Sequence, residues 1–203
     1  MTDEITFYHN PMSRAAIVHW MLEEVGAPYR VVPIDFQKGE NKTPEFLAIN
    51  PMGKLPTIIH KDVVVTEAAA IVAYLADAFP AAGLAPAIGD PQRGGWYRWL
   101  FFGAGCIEPA LIDTMQSRPK GESMALGYGS YDDTFNALRG VLSKTPYLLG
   151  ETFTAADLYV GSELNWATMF GAPGIKGDPV LEPYLQRCID RDAYRRTAAE
   201  QPA

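Results

Sequence analysis

The chain has 203 residues, 48% of them hydrophobic, which is enough for one large core or two smaller ones. A formal net charge of -7 and a pI near 4.9 argue against a nucleic-acid partner, because binding to phosphates requires clustered Lys and Arg. No apolar run approaches the length of a membrane span and no basic, leader-like N-terminus is present, so we expect a soluble, cytoplasmic protein without a membrane partner. The spacing of Cys106 and Cys188 predicts neither a disulfide nor a metal site.

The first elements along the chain predict a parallel pair of strands joined by a helix. Ile5 to Tyr8 has the pattern of a strand, and a helix from about Ser13 to Val25 follows the break at Asn10-Pro11-Met12. Gly26 is placed to end that helix as a C-cap. Tyr29 to Ile34 is rich in β-branched residues, and a strand-helix-strand order of this length indicates a right-handed crossover.

The next segment predicts a short helix, a hairpin and a third helix. Thr43 and Pro44 are a good N-cap and first-turn pair for a helix through Ile49. Thr57 to His60 and Val63 to Val65 flank a tight Lys61-Asp62 turn, and Thr66 is expected to cap the helix that follows. The order β-α-β-α-β-β-α predicts an α/β, thioredoxin-like domain with a mixed sheet.

Beyond residue 80 the sequence predicts a connector and then helices alone. Pro80 to Gly95 is rich in Ala, Pro and Gly and has no apolar period, as in a linker between two packing units. Helical spacing of apolar residues returns in the segments Trp96 to Met115, Tyr131 to Ser143, Ala155 to Phe170 and Leu181 to Thr197. We therefore predict a thioredoxin-like domain over residues 1–80, a linker over 81–94 and an all-α helical bundle over 95–203.

Four motifs, in this order and spacing, carry a resemblance to a known family. They are the strand Phe7-Tyr8 running into Ser13-Arg14, the run Asn50 to Pro56, the helix entry Thr66-Glu67-Ala68, and the run Phe153 to Leu158. On these motifs the chain resembles the cytosolic glutathione transferases, particularly the bacterial members, over essentially its whole length. The resemblance implies a homodimeric detoxification enzyme that uses glutathione as co-substrate and needs no metal.

Glutathione carries two carboxylates, an ammonium and a thiol, so its site needs cations or N–H donors, a carboxylate and a group that favours the thiolate. The resemblance implies a cis bond at Leu55-Pro56, with the backbone of Leu55 paired to the cysteinyl part of glutathione. It also implies that Glu67 binds the γ-glutamyl ammonium and that the N–H of Ala68 binds the adjoining carboxylate. Many relatives carry Ser at position 68, and Ala68 lacks that hydroxyl, so we expect a weaker contact there.

Candidates for the glycine carboxylate are lysines ahead of the cis-proline and ahead of the second helix. Lys54 follows Gly53 and is close enough in sequence to act as a point charge at the glycine end. Lys38, with Gln37, is a further candidate for the same carboxylate. Each of these side chains is also compatible with an ordinary solvated surface position.

Three residues compete as the group that stabilises the thiolate. Ser13 is the first candidate, because a hydroxyl at a helix start can donate to sulfur, although it is equally typical of an N-cap. By resemblance, Ser13 stands where one bacterial class carries a cysteine that forms mixed disulfides with glutathione, and serine cannot do so. Tyr8 matches the tyrosine of other classes, or is a packed sheet aromatic, and Asn10 stands where further classes carry serine.

The second substrate is expected in the helical domain, facing the loop after the first strand. Glu108 and Trp166 align with family positions that often line that site, and Met12 and Met169 would add an adaptable apolar wall. Core packing is an equal alternative for Trp166. Asp157 is assigned to structure, because Thr154 to Asp157 is a capping box with Phe153 and Leu158 as its hydrophobic staple.

These observations predict an enzyme that holds glutathione as a thiolate for attack on a small hydrophobic electrophile. A glutathione-dependent oxidoreductase or isomerase is an alternative, and the absence of cysteine at position 13 counts against disulfide reduction. The Ser-Ser-Cys run of the isomerase class is also absent from Asn10 to Ser13. A non-catalytic binding protein with the same fold is the third hypothesis.

Overall fold

The structure is a computed structural model in which residues 3–119 and 121–198 are described. The chain folds into two compact units. The first contains the residues up to Ala82 together with the segment from Asp192, and the second runs from Gly83 to Arg191. Within the described ranges no helix is long and apolar enough to cross a membrane.

The first unit is built on a four-stranded mixed sheet of order β2-β1-β3-β4. Its strands are β1 (Ile5–His9), β2 (Tyr29–Pro33), β3 (Thr57–His60) and β4 (Val63–Thr66). β1 pairs with β2 in parallel, as the crossover predicts, and pairs with β3 antiparallel. Lys61 and Asp62, both at positive φ, form the tight turn of the β3–β4 hairpin. The predicted fold class of this unit is confirmed.

Helices α1 (Ala15–Val25), α2 (Pro44–Ile49) and α3 (Ala68–Ala78) complete this fold. Gly26 ends α1 at a φ of 64°, and the Thr43 side chain accepts the N–H of Phe46 at the start of α2, both as predicted. Two details differ from the sequence analysis. α1 begins two residues after Ser13, and Thr66 does not cap α3, because it still belongs to the β4 ladder and Glu67 takes the N-cap position.

The second unit contains only helices among its described residues, as predicted. They are α4 (Gln92–Phe102), α5 (Glu108–Met115), α6 (Tyr131–Leu142), α7 (Ala155–Met169) and α8 (Leu181–Ile189). Between α4 and α5, Gly103–Ile107 forms a π-helical turn in which the N–H of Glu108 donates to the carbonyl of Gly103. Pro109 has no N–H for an α-helical bond at this point, so the wider turn lets the helix continue.

α7 starts at the capping box that the sequence predicts. The buried Asp157 carboxylate accepts the N–H of Leu148 at 2.8 Å, and the N–H and hydroxyl of Thr154 at 2.9 Å each. The hydroxyl of Tyr184, on α8, also donates to it at 3.3 Å. One carboxylate thus joins the start of α7 to the preceding loop and to α8.

The last helical segment differs from its prediction. Leu181 to Thr197 was expected as one helix, but the chain breaks after Ile189 and resumes as α9 (Asp192–Ala198). α9 packs against α1 and belongs to the first unit, rather than to the helical bundle assigned to residues 95–203. The apolar spacing continues through both helices, so periodicity alone does not reveal the break.

Candidate functional site

The register of the sheet places three predicted loops at one end of the first unit. Tyr8 pairs with Thr57, and Thr57 pairs with Thr66 on the next strand. The chain leaves β1 and β4 and enters β3 at this end, because β3 runs antiparallel to both neighbours. The loop after β1, the Leu55-Pro56 bond and Glu67 therefore lie beside one another, although they are far apart in sequence.

The loop after β1 is held by the side chains of Asn10 and Ser13. The Asn10 amide donates to the carbonyl of Ile34 at 2.8 Å, and its oxygen accepts the N–H of Met12 at 2.9 Å. The Ser13 hydroxyl donates to the carbonyl of Asn10 at 2.7 Å and accepts the N–H of Ala15 at 3.1 Å. Asn10 is thus already used in fixing this loop to the end of β2.

The Ser13 hydroxyl can donate its proton to a bound sulfur instead of to the Asn10 carbonyl. The Asn10 carbonyl also accepts the backbone N–H of Ser13, at 3.1 Å. If the hydroxyl rotates toward a bound sulfur, the carbonyl keeps this second donor and is not left unsatisfied. Tyr8 points to the other side of β1 from Phe7, and its ring packs on Phe46 of α2 with centroids 5.5 Å apart.

The Leu55-Pro56 peptide bond is cis, as the resemblance implied. Across residues 3–119 and 121–198, no hydrogen bond engages the N–H or carbonyl of Leu55, so both are available for a peptide ligand. Asn50 is buried beneath this turn, and its amide nitrogen donates to the carbonyl of Lys54 at 2.9 Å and to the Thr57 hydroxyl at 3.0 Å. Asn50 therefore sets the path of the chain into β3.

Two residues ahead of α2 hold the other side of this turn, and sequence reasoning missed both. The Asn41 side chain donates to the carbonyl of Gly53 at 2.9 Å, and the Lys42 ammonium donates to the carbonyl of Met52 at 3.0 Å. A Cβ on Gly53 would lie 2.6 Å from the Asn41 carbonyl, and the φ of 58° also favours glycine. The high content of polar residues in the segment 35–43 was the sequence signal that could have pointed to these two residues.

The lysines near the turn before the cis-proline differ from those expected, which were Lys54 and Lys38. Lys42, which was not named, reaches the turn, whereas Lys38 forms an ion pair with Asp35 at 3.2 Å and is largely exposed. Gln37 donates its backbone N–H to the same carboxylate. Lys54 is exposed on the turn itself, so the structure offers Lys54 and Lys42 together.

Glu67 has a backbone conformation that non-glycine residues rarely adopt, with φ 67° and ψ 119°. It is the N-cap of α3 rather than a first-turn residue, and its exposed carboxylate does not cap the helix. The first N–H groups of α3, beginning with Ala68, thus remain directed at an incoming anion. A strained residue that places a carboxylate beside free N–H donors fits an α-amino acid ligand.

The second-substrate candidates are distributed over both units. Met12 is 70% exposed in the first unit, and Met169 is 67% exposed at the end of α7 in the second. Trp166 is half-buried and packs on Phe170, with ring centroids 5.2 Å apart. Glu108 is half-buried where the π-helical turn meets α5. Trp166 and Met169 lie three residues apart and so share one face of α7.

Comparison with known proteins identifies the family. The chain matches the description "Glutathione S-transferase, N-terminal domain" over residues 3–77 and "Glutathione S-transferase, C-terminal domain" over residues 130–192. It is 36% identical to glutathione S-transferase 3 of Zea mays, over 98% of this chain and 95% of the maize protein. The chain belongs to the glutathione S-transferase family. The resemblance seen in the sequence is confirmed.

Two further members of the glutathione S-transferase family cover nearly the whole chain. Glutathione S-transferase GST-4.5 of Xanthomonas campestris is 27% identical over 95% of this chain and 97% of its own. The crystal structure of a glutathione transferase homolog from Sulfitobacter, with bound glutathione, superposes with a TM-score of 0.78 at 26% identity. That superposition covers 98% of this chain and 99% of the Sulfitobacter chain.

The described residues contain no cluster of side chains suited to a metal ion. Across residues 3–119 and 121–198, no three His, Cys, Asp or Glu side chains lie close enough to hold an ion. Both cysteines are free thiols, Cys188 buried and Cys106 half-buried. Burial raises the pKa of both thiols, so neither has the character of a reactive thiolate.

Replacing Glu67 with glycine is expected to weaken glutathione binding about 10- to 100-fold without destabilising the protein. The variant lacks the carboxylate that is expected to bind the γ-glutamyl ammonium, and one charge-assisted hydrogen bond is worth about 1.5–3 kcal/mol. Relief of the positive φ offsets the flexibility that glycine adds to the unfolded chain, about 1 kcal/mol. Isothermal titration with glutathione and urea unfolding measure the two effects.

Glu67→Ala is the matched control, because alanine also lacks the carboxylate but keeps the unfavourable φ. Both variants should bind glutathione equally weakly, while the glycine variant unfolds at higher urea concentration. Wild-type affinity in the alanine variant would contradict a role for the Glu67 carboxylate.

His9, at the end of β1, should make stability depend on pH. Burial, together with the nearby His19, lowers the pKa of His9 from 6.5 to about 4. Because the folded pKa is below the unfolded one, the unfolded chain binds the proton more readily, and stability falls as pH decreases from 6.5 toward 4. His9 is partly exposed, so we expect this loss to be about 1–2 kcal/mol rather than the full value of the shift.

The measurement is the free energy of unfolding in urea at pH 7 and at pH 5 for wild type and His9→Phe. Phenylalanine keeps an aromatic ring against Phe7, whose centroid lies 5.0 Å from that of His9, but does not titrate. The variant should lose less stability than wild type over this interval. Equal losses would show that His9 is not the titrating group.

Proposed function

We propose that this protein is a glutathione transferase that binds glutathione at the end of its mixed sheet and directs the thiolate at a small hydrophobic electrophile. The observation that carries the proposal is the convergence at this end of Leu55 with free backbone groups, Glu67 ahead of free helix N–H groups, and the Ser13 loop. The glutathione bound to the Sulfitobacter relative supports it.

Each part of glutathione has a chemically suitable partner in this arrangement. Glu67 takes the γ-glutamyl ammonium, and the N–H of Ala68 takes the adjoining carboxylate. Leu55 forms a short antiparallel ladder with the cysteinyl residue through its N–H and carbonyl. Lys54 and Lys42 supply positive charge for the glycine carboxylate. The tripeptide is thereby fixed at both ends, with the thiol between them.

Ser13 is proposed as the group that stabilises the thiolate. A free thiol with a pKa near 8.5 is only slightly ionised at neutral pH, and a donated hydroxyl favours the ionised form. The thiol proton passes to solvent, and the sulfur then forms a bond to the electrophilic carbon while the leaving group departs with its electron pair. Apolar Met12, Trp166 and Met169, with Glu108, are proposed to line the electrophile site.

The two other hypotheses make different use of the same residues. Disulfide reduction requires an attacking cysteine thiolate, and position 13 carries serine. A non-catalytic binding protein would keep Glu67 and Leu55 but leave the Ser13 hydroxyl on the Asn10 carbonyl, where it lies in the structure. Glutathione binding without ionisation of its thiol would favour the non-catalytic binding protein.

The decisive experiment titrates the wild-type protein with glutathione while thiolate absorbance is followed across pH. Turnover of a chloro-nitroaromatic electrophile is measured alongside. Binding, a lowered thiol pKa and turnover together are the expected result. Absence of glutathione binding would refute the proposal, and binding without a lowered pKa or turnover would leave a binding protein.

A homodimer in the cytoplasm is part of the proposal, with the first unit of one chain against the helical unit of the other. Each unit has an apolar surface that supports it. In the first unit, Met52 and the edge-strand residues Val63 and Val64 are exposed, and on α4 of the second unit Tyr97 and Phe101 are exposed and stacked.

Phe101→Glu is expected to convert the dimer into monomers, because a charge in the centre of an apolar interface is left without a partner. Sedimentation equilibrium on wild type and variant measures the effect, and the dissociation constant should rise at least about 100-fold. Met124→Glu, at an apolar position that is fully exposed, is the control and should leave the association unchanged. A monomeric wild type would contradict the dimer.

A further inference from the structure

A series of hydrogen bonds runs from α9 into the core of the first unit. Arg196 on α9 donates to the carboxylate of Glu23 through Nε and to the carbonyl of Glu23 through Nη2, at 3.3 Å. The other carboxylate oxygen of Glu23 accepts the hydroxyl of Tyr29, on β2, at 2.7 Å. The Tyr29 oxygen in turn lies 2.9 Å from Nε2 of His19, on α1. This series links α9, α1 and β2.

The direction of these bonds determines the form of the His19 ring. Tyr29 has one phenolic proton, and Glu23 accepts it. Nε2 of His19 must therefore carry the hydrogen that is donated to the Tyr29 oxygen. His19 is only 4% exposed, so this bond fixes both the tautomer and the orientation of the imidazole inside the core.

The fixed imidazole packs directly against the end of β1. Its centroid lies 5.2 Å from that of His9 and 5.9 Å from that of Phe7. His9 is the last residue of β1, and the loop that contains Asn10 and Ser13 begins immediately after it. Because that loop spans the gap between β1 and α1, the packing of His19 on His9 sets the separation of its two ends.

α9 is packed firmly against α1, so Arg196 is held in place to form its bonds with Glu23. Tyr194 packs edge-on against Trp20 of α1 with centroids 5.0 Å apart, and Ala193 and Thr197 are buried. The side chain of Glu23 is 21% exposed, so the carboxylate is largely shielded from water, whereas the Arg196 side chain that pairs with it is 55% exposed. Burial opposes ionisation of Glu23, but the bonds from Arg196 and Tyr29 prevail and lower its pKa, so the pair stays charged at neutral pH.

We propose that His19 is a positioning residue for the glutathione site, and that α9 holds it in place through Arg196, Glu23 and Tyr29. This inference rests on the proposed function, because the loop that His19 positions is the one that presents Ser13 to the thiol. In this proposal α9 supports the site through the hydrogen-bond network rather than through contact with the substrate, which gives its packing in the first unit a functional role.

The test compares Tyr29→Phe and Arg196→Met with the control Arg195→Met. Each of the first two variants breaks the network but keeps the bulk of the side chain, whereas Arg195 pairs with Asp192 on its own helix at 2.8 Å. We expect kcat/KM for glutathione to fall about 5- to 30-fold in both, which corresponds to 1–2 kcal/mol. The KM for the electrophile and the kinetics of the control should not change.

Two further results distinguish a positioning role from a purely structural one. The double variant should be no worse than the less active single variant, because both changes break the same series of bonds, and Arg196→Lys should recover part of the activity. Additive losses, or unchanged kinetics together with a lower melting temperature, would overturn the proposal.

A ligand-free measurement separates this inference from the proposed function. Hydrogen exchange at the amides of Ser13, Ala15 and Ala16, which are bonded within the loop, should accelerate in Tyr29→Phe and Arg196→Met but not in Arg195→Met. If wild type fails to bind glutathione, the proposed function fails, while this pattern of exchange still supports the positioning of the loop. Unchanged exchange in the two network variants overturns the inference.

Discussion

Replacing Asp157 with alanine is expected to lower the free energy of unfolding by about 3–5 kcal/mol, the largest effect on stability that we predict. The substitution leaves the buried N–H groups of Leu148 and Thr154 without an acceptor and removes the carboxylate partner of the Thr154 hydroxyl. The Tyr184 hydroxyl loses its carboxylate bond and keeps only the main-chain carbonyl of residue 157, at 3.5 Å. Asp157 is completely buried, so bulk solvent does not reach the groups that lose their acceptor. We expect a decrease of about 10 °C in melting temperature, since 1 kcal/mol corresponds to about 2–4 °C in a chain of this size.

The chain offers a matched control at the start of α6. Asp133 also stands three residues after a hydroxyl N-cap, Ser130, and accepts its hydroxyl at 2.7 Å, but it is exposed to solvent. Asp133→Ala should cost only about 0.5 kcal/mol, because water satisfies the freed groups. Asp157→Asn, which keeps one carbonyl acceptor, should fall between the two. Equal effects at positions 133 and 157 would show that burial is not the deciding factor.

Replacing Ser13 with alanine is expected to reduce kcat/KM about 100- to 1000-fold, the range found when one donor to a developing anion is removed. The pKa of the bound glutathione thiol should return toward 8.5, because the hydroxyl no longer favours the thiolate. Alanine also removes the acceptor for the N–H of Ala15, which weakens the start of α1 by about 1 kcal/mol. Turnover of a chloro-nitroaromatic and thiolate absorbance as a function of pH measure the two main effects.

A conservative variant at position 13 and one variant at each of the two other candidate positions decide the assignment. Ser13→Thr keeps the hydroxyl and should retain most of the activity, whereas Tyr8→Phe should leave the thiol pKa unchanged, since the Tyr8 ring packs on Phe46. Asn10→Ala should impair glutathione binding and stability together, because its amide fixes the loop to Ile34. A wild-type thiol pKa in Ser13→Ala would move the assignment to Tyr8 or Asn10.

The local signals of the sequence account for much of the fold. Thr43 with Pro44, Gly26 and the Lys61-Asp62 turn are each defined by neighbours within a few residues, and the structure has all three. The cap at Thr66 was wrong because pairing with Thr57 across the hairpin extends the strand by one residue. A contact from another strand decided that boundary, and no local signal records it.

In the candidate site too, local motifs predict some features, while others depend on contacts with distant segments. Leu55-Pro56 and Glu67 were placed by their motifs, but the motifs do not show that Asn50, Asn41 and Lys42 hold the turn ahead of the cis-proline. The strained φ of Glu67 and the partner of the Ser13 hydroxyl are also invisible in the sequence. Each depends on atoms supplied by a segment that is distant along the chain.

Local patterns in the sequence were sufficient to predict the order of helices and strands, the thioredoxin-like and all-helical division, and membership of the family whose motifs it carries. Local patterns did not reveal that α9 packs on α1, that the pairing of Tyr8, Thr57 and Thr66 brings three loops to one end of the sheet, or that Asp157 joins three segments. The two kinds of feature differ in the distance along the chain over which the interactions that produce them act. Caps, turns and apolar periods act over a few residues, whereas register, burial and long-range hydrogen bonds depend on which distant segments pack together.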